Sequence, residues 1–104
     1  MTKYLVLYRS NMTAEEQMAQ NTPEQAQAGM EAWMAWAGQA GDAIVDLGTP
    51  LGVVDPGGDS GDPVAGYSIL QAESHEALNK VLAGHPHRMI GTIETLECLP
   101  IPGM

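Results

Sequence analysis

The chain has 104 residues, the size of one domain, and 44% of them are hydrophobic against 16% charged, which excludes a disordered chain. Thirteen acids face four scattered bases (Lys3, Arg9, Lys80 and Arg88), and a net charge of −9 with no basic cluster excludes nucleic acid and anionic membrane as partners. The single cysteine, Cys98, cannot close an internal disulfide, and no stretch nears the ~20 apolar residues of a membrane span. The apolar run in MTKYLVLYRS is too short for a secretory signal, so a reducing cytoplasm is the expected location.

Lys3–Arg9 (KYLVLYR) reads as a strand that is apolar on both faces, with Tyr4, Val6 and Tyr8 on one and Leu5 and Leu7 on the other. Two capping boxes follow, Thr13-Ala-Glu-Glu16 and Thr22-Pro-Glu-Gln25. The first opens a short helical turn. The second opens the main helix, which has Pro23 at its favoured first position and ends at Gly41. Ala26, Met30, Trp33, Ala37 and Ala40 form its apolar stripe, which predicts a core position for Trp33 and a marginal one, beside a pocket or a partner, for Trp36.

Ala43–Leu47 is the second predicted strand, with an extension through Val53 and Val54 beyond the GTPLG turn. Residues 55–63, which include Asp55, Asp59 and Asp62, read as a flexible loop rich in glycine and proline. Val64–Ala72 is the third strand. Ser74 caps a second main helix with an apolar face of Ala77, Leu78, Val81 and Leu82, and Gly84-His-Pro-His87 breaks it. Thr92–Leu99 is the last strand, where Cys98 is expected as a small buried residue, and 100–104 is a tail.

This order is βαββαβ, a single ferredoxin-like α+β domain over residues 1–104 with an antiparallel four-stranded sheet and both main helices on one face. The other face should then be polar, yet strands one and three carry apolar residues on both sides. An open apolar face on the order of several hundred Å² needs a cover. A second copy of the chain supplies it most simply, and the long 48–63 segment is the alternative.

The stretches Lys3-Tyr-Leu-Val-Leu-Tyr8, Gly41-Asp-Ala-Ile-Val-Asp-Leu-Gly-Thr-Pro-Leu-Gly52, Gly66-Tyr-Ser-Ile-Leu-Gln-Ala-Glu-Ser-His-Glu-Ala77 and Gly84-His-Pro-His87 together resemble the YCII-related (DGPF-type) family over nearly the whole chain. The resemblance implies a ferredoxin-like protomer that pairs into a dimeric α+β barrel. It also implies, for some members, enzymes of small aromatic or lactone substrates built around a histidine and an aspartate. Two departures stand out: Met30 or a neighbour occupies the place of the family's helix histidine, and His85-Pro86-His87 replaces an Asp-Pro-Phe motif.

Histidine titrates nearest neutral pH, so His85 and His87 are candidates for proton transfer, or else for a turn whose rings bind backbone carbonyls. His75, at the start of a helix, reads as a surface residue. Asp46 sits in an apolar strand, where it serves either as a base with a raised pKa or as a cap on the GTPLG turn. Arg9, Trp36 and Tyr67 are the candidate substrate-binding residues, with Arg9 open to a surface ion pair instead. The ligand spacings of metal sites and the glycine motifs of nucleotide sites are absent, so neither metal nor nucleotide cofactor is expected. Two functions follow: a cofactor-independent enzyme moving protons on a small organic molecule in a cleft, or a non-catalytic dimer that binds a small ligand or a partner protein.

Overall fold

A computed structural model describes residues 1–55, 57 and 61–103. The expected 55–63 loop lies partly, and Asp59 and Met104 wholly, outside the described residues. The chain is α+β, with strands β1 (Thr2–Arg9), β2 (Ile44–Asp46), β3 (Val64–Ala72) and β4 (Thr92–Glu97), and helices α1 (Ala14–Gln20), α2 (Pro23–Ala40) and α3 (His75–Leu82). The sheet runs β2-β3-β1-β4 with every neighbouring pair antiparallel, which is the ferredoxin-like order. No helix among the described residues is long and apolar enough to cross a membrane.

Both capping boxes form as the sequence predicts. The Glu16 N–H donates to Thr13 Oγ1 and the Thr13 N–H to Glu16 Oε1, at 3.1 and 3.2 Å. The Gln25 N–H donates to Thr22 Oγ1 and the Thr22 N–H to Gln25 Oε1, at 3.1 and 2.9 Å. Each box satisfies two donors that a helix start leaves bare. Gly41, at φ +53°, ends α2 where a side chain would be strained.

The two faces of β1 separate as its alternation requires. Tyr4, Val6 and Tyr8 are buried under the helices, where they join Leu70 and Ala72 of β3, Leu78 and Leu82 of α3, and Trp36 of α2. Leu5 and Leu7, with Tyr67 and Ile69 of β3 and Leu96 of β4, belong to the face that carries no helix, and all five keep solvent exposure.

Several expectations change. The second strand stops at Asp46, and a lone bridge from Pro50 to Gly66, with the Leu51 N–H donating to Ala65 O and the Tyr67 N–H to Thr49 O, continues that edge. Val53 and Val54 lie outside any strand, and Val54 is fully exposed, because the glycine–proline turn carries the chain off the sheet. The last strand ends at Glu97, so Cys98 is exposed rather than buried; only its N–H, bonded to Lys3 O at 2.9 Å, prolongs the pairing. In α2 the two tryptophans exchange their expected places: Trp36 is 4% exposed, its indole N–H donating to Val81 O, while Trp33 is half-buried. Residues 23–32 of α2 are all exposed, and Met30 and Met34 are each more than half exposed.

Candidate active site

The strand register dictates where the site forms. Between Tyr8 and Arg9 the β1–β3 ladder shifts by one residue, Tyr8 opposing Gly66 and Arg9 opposing Val64, so that Ala65 is a bulge. Bulges bend a strand and re-aim the groups beside them. Here the Arg9 carbonyl accepts a hydrogen bond from His87 Nε2 at 2.8 Å. A carbonyl can only accept, so Nε2 carries the ring proton, and in the neutral ring Nδ1 holds the free lone pair. Nδ1 has no partner among the described residues, and the ring lines a cleft.

Leu82 ends α3, and Pro86–Met89 then form a short 3₁₀ turn with His85 as its cap: the His87 N–H donates to His85 Nδ1 at 3.0 Å. The neutral His85 ring must therefore carry its proton on Nε2, and that atom is buried with no hydrogen-bond partner among the described residues. Three aromatic rings enclose it. Tyr8 stacks on it with centroids 4.7 Å apart, Trp33 meets it at right angles at 4.4 Å, and Trp36 lies at 4.3 Å. Burial, and then the electrostatic effects of His87 and Arg88, push its pKa down from 6.5 to about 4. His85 is thus an uncharged ring at neutral pH.

Tyr8 joins the two histidines. Its ring lies 5.3 Å from that of His87 and 4.9 Å from that of Trp33. Its hydroxyl donates to Ser68 Oγ at 2.8 Å, and Ser68 in turn donates to Leu47 O at 2.6 Å, a relay that ties β1, β3 and the end of β2 together. Burial pushes the phenol up to about 12, against a smaller opposing effect of the Ser68 bond, so it remains protonated.

The cleft itself has a volume of about 370 Å³ and opens between α1, α2 and the sheet. Tyr8, His87 and Trp33 lie on its inner side, and Met18, Met30 and Met34 give it an adaptable apolar mouth. Such a volume falls at the small end of ligand pockets.

The sequence-predicted residues divide between two regions. His85 and His87 come together against Tyr8, and His87 reaches the cleft. Asp46 does not join them. It pairs across from Ile69 on the helix-free side of the sheet and is exposed. Its Oδ1 accepts from the Gly48 N–H at 2.9 Å, and its Oδ2 from the Tyr67 hydroxyl at 3.4 Å. That is the turn-capping arrangement of the two the sequence left open. Gly48 has φ +82°, and a Cβ there would sit 1.7 Å from Tyr67 O, so the turn that Asp46 caps requires glycine. Arg9 is committed to an ion pair with Glu94 (2.8 Å) and to Asp62 O (2.8 Å). Trp36 supports His85 from the core and borders a separate shallow groove between α2 and α3, and His75 is on the surface.

Three members of the site carried little sequence signal. Trp33 read as core and Tyr8 as one of the apolar positions of the first strand, and nothing in the sequence singled out Ser68. The available clue was that Tyr8 is in phase with Tyr4 and Val6, one residue before the cation that ends the strand. Among the described residues, no group of three or more His, Cys, Asp or Glu is placed to hold a metal. No known protein-family model matches this chain, and no curated protein is significantly similar to it.

Proposed function

We propose that this chain is a YCII-related protein that pairs into a dimeric α+β barrel and performs cofactor-independent proton transfer on a small organic molecule in the cleft beside His87. One observation carries the reading: the Arg9 carbonyl fixes the His87 proton on Nε2, leaving Nδ1 as a base on a ring that lines the cleft. A backbone acceptor orienting an imidazole is the arrangement that general-base catalysis needs. Nδ1 removes a proton from carbon beside a carbonyl, the electron pair passes to the carbonyl oxygen as an enolate, and the protonated ring, after exchanging its proton with solvent, returns one to the original or a conjugated carbon. Nothing else is consumed. Trp33, set edge-on to Tyr8 at an interplanar angle of 81°, supplies an apolar wall for the substrate.

The probe is 2-tetralone, an uncharged ring ketone with an activated carbon-bound hydrogen. In deuterated water the protein should speed hydrogen–deuterium exchange of 2-tetralone about 10²-fold or more over buffer, the usual scale of general-base catalysis. His87→Gln should abolish that acceleration. Exchange no faster than in buffer, from protein whose methionine methyl signals show 2-tetralone bound, would reduce the cleft to a binding site without chemistry.

The pairing has its own support. The accessible surface is 7032 Å², roughly a quarter more than the ~5,600 Å² of a compact monomer of this mass. The radius of gyration, 14.6 Å, likewise exceeds the ~13 Å of a compact 104-residue domain. Leu5, Leu7, Ile69 and Leu96 supply an apolar patch on the helix-free face for a second copy to cover. Light scattering at micromolar concentration should give twice the monomer mass, and Leu7→Arg should halve it. A monomeric, unaggregated wild type would end the pairing.

A further inference from the structure

Among the described residues, none of those lining the cleft carries a formal charge. Of the four cations, Arg9 is paired with Glu94, and Arg88 donates through Nε to Leu82 O at 2.8 Å. Lys80 borders the shallow groove between α2 and α3, and Lys3, opposite Gln71, is exposed on the helix-free side of β1. None of them lines the cleft, and among the described residues no Asp or Glu lines it either. Its polar groups are hydroxyls, amides, backbone and the His87 ring, set among methionine, tryptophan and tyrosine.

We propose that the cleft selects uncharged, ring-sized, predominantly apolar molecules with a single hydrogen-bonding group, and excludes both carboxylates and ammonium ions. The proposal rests on the reading of the cleft as a ligand site. Its physical basis is desolvation: an ion entering the cleft gives up water and meets no opposite charge there. The net charge of −9 adds repulsion against anions approaching from solution. For a cation the same field is attractive at a distance, but the cleft holds no carboxylate to receive it, so desolvation decides. The substrate class is accordingly that of neutral ring ketones and phenols, whose one polar group meets His87 while the ring lies against Trp33.

The test compares 2-naphthol, 2-naphthoate and 2-naphthylmethylammonium, one ring system in neutral, anionic and cationic form at neutral pH. Binding is read from the methyl signals of ¹³C-methyl-methionine protein, since Met18, Met30 and Met34 rim the cleft. 2-Naphthol should shift those three signals and bind about tenfold or more tightly than either ion. Met30→Lys, at a position 62% exposed and so tolerant of the change, should raise 2-naphthoate affinity about tenfold. Either ion matching 2-naphthol at the same three methyls overturns the selectivity while leaving the ligand site intact. A Met30→Lys protein that still excludes 2-naphthoate overturns the electrostatic basis. If none of the three probes moves these signals, the ligand reading fails, and the selectivity with it.

Discussion

Replacing Gly91 with alanine is expected to cost roughly 3 kcal/mol or more and to lower the melting temperature by about 10 °C or more. The position has no special backbone angle; the constraint is space. A Cβ there would lie 2.0 Å from Arg9 O and 2.8 Å from His87 Nε2, the two atoms whose hydrogen bond anchors the imidazole. The carbonyl belongs to the bulged end of β1 and cannot swing aside as a flexible side chain would. The methyl group must therefore push the 3₁₀ turn off the strand, breaking the His87 bond and leaving a carbonyl and an imidazole N–H without partners. Gly38→Ala is the control. A Cβ at that position meets nothing within 4 Å, and an alanine inside α2 should stabilise by about 0.5–1 kcal/mol. Thermal melts of the two variants should move in opposite directions. A Gly91→Ala protein as stable as wild type would mean that the strand end yields easily and that His87 is not held by it.

The order of elements was legible because each signal is local. Thr13, Thr22 and Ser74 mark helix starts through their own spacing to Glu16, Gln25 and Ala77, and the alternation of β1 separates Tyr8 from Leu7 with no tertiary information. The histidine pair was legible for the same reason, since a proline between two histidines marks a turn. Its surroundings were not. Which tryptophan of α2 faces the core depends on the angle at which the helix leaves the sheet, and that angle opens the cleft; helical periodicity cannot see it. Asp46 misled differently. Its neighbours Val45 and Leu47 imply burial, but β2 is a three-residue edge strand, and an edge leaves its carboxylate in water, bonded to the next turn. Cys98 was misplaced by a strand two residues shorter than its β-forming residues promised.

His85 should make this fold acid-sensitive well above the range in which carboxylates alone would. Its ring is 2% exposed, stacked on Tyr8 and set against Trp33 and Trp36, and its Nε2–H has no partner among the described residues. Adding a proton would place a charge where water cannot follow. It would also remove the Nδ1 lone pair that receives the His87 N–H and caps the 3₁₀ turn. Burial, followed by the electrostatic effects of His87 and Arg88, accordingly lowers the folded-state pKa to about 4 from 6.5. The direction of linkage follows from that depression. Above pH 6.5 the ring is neutral in both states, and its contribution to stability is fully present. As pH falls from 6.5 towards 4 the unfolded chain takes up a proton that the folded chain refuses, so stability declines by about 1.4 kcal/mol per pH unit. The whole loss approaches roughly 3 kcal/mol, and it levels off once pH is below the folded value and both states are protonated. Urea unfolding between pH 7 and 4.5 should show this slope in the wild type. In His85→Asn, whose amide oxygen can still cap the turn but does not titrate, the slope should largely disappear, whatever the variant's starting stability. The His85 ring-carbon resonance of the folded protein should stay that of a neutral ring down to pH 5. A ring that protonates near pH 6.5, or a pH slope that persists unchanged in His85→Asn, would show that the aromatic enclosure admits water and that the acid sensitivity arises elsewhere.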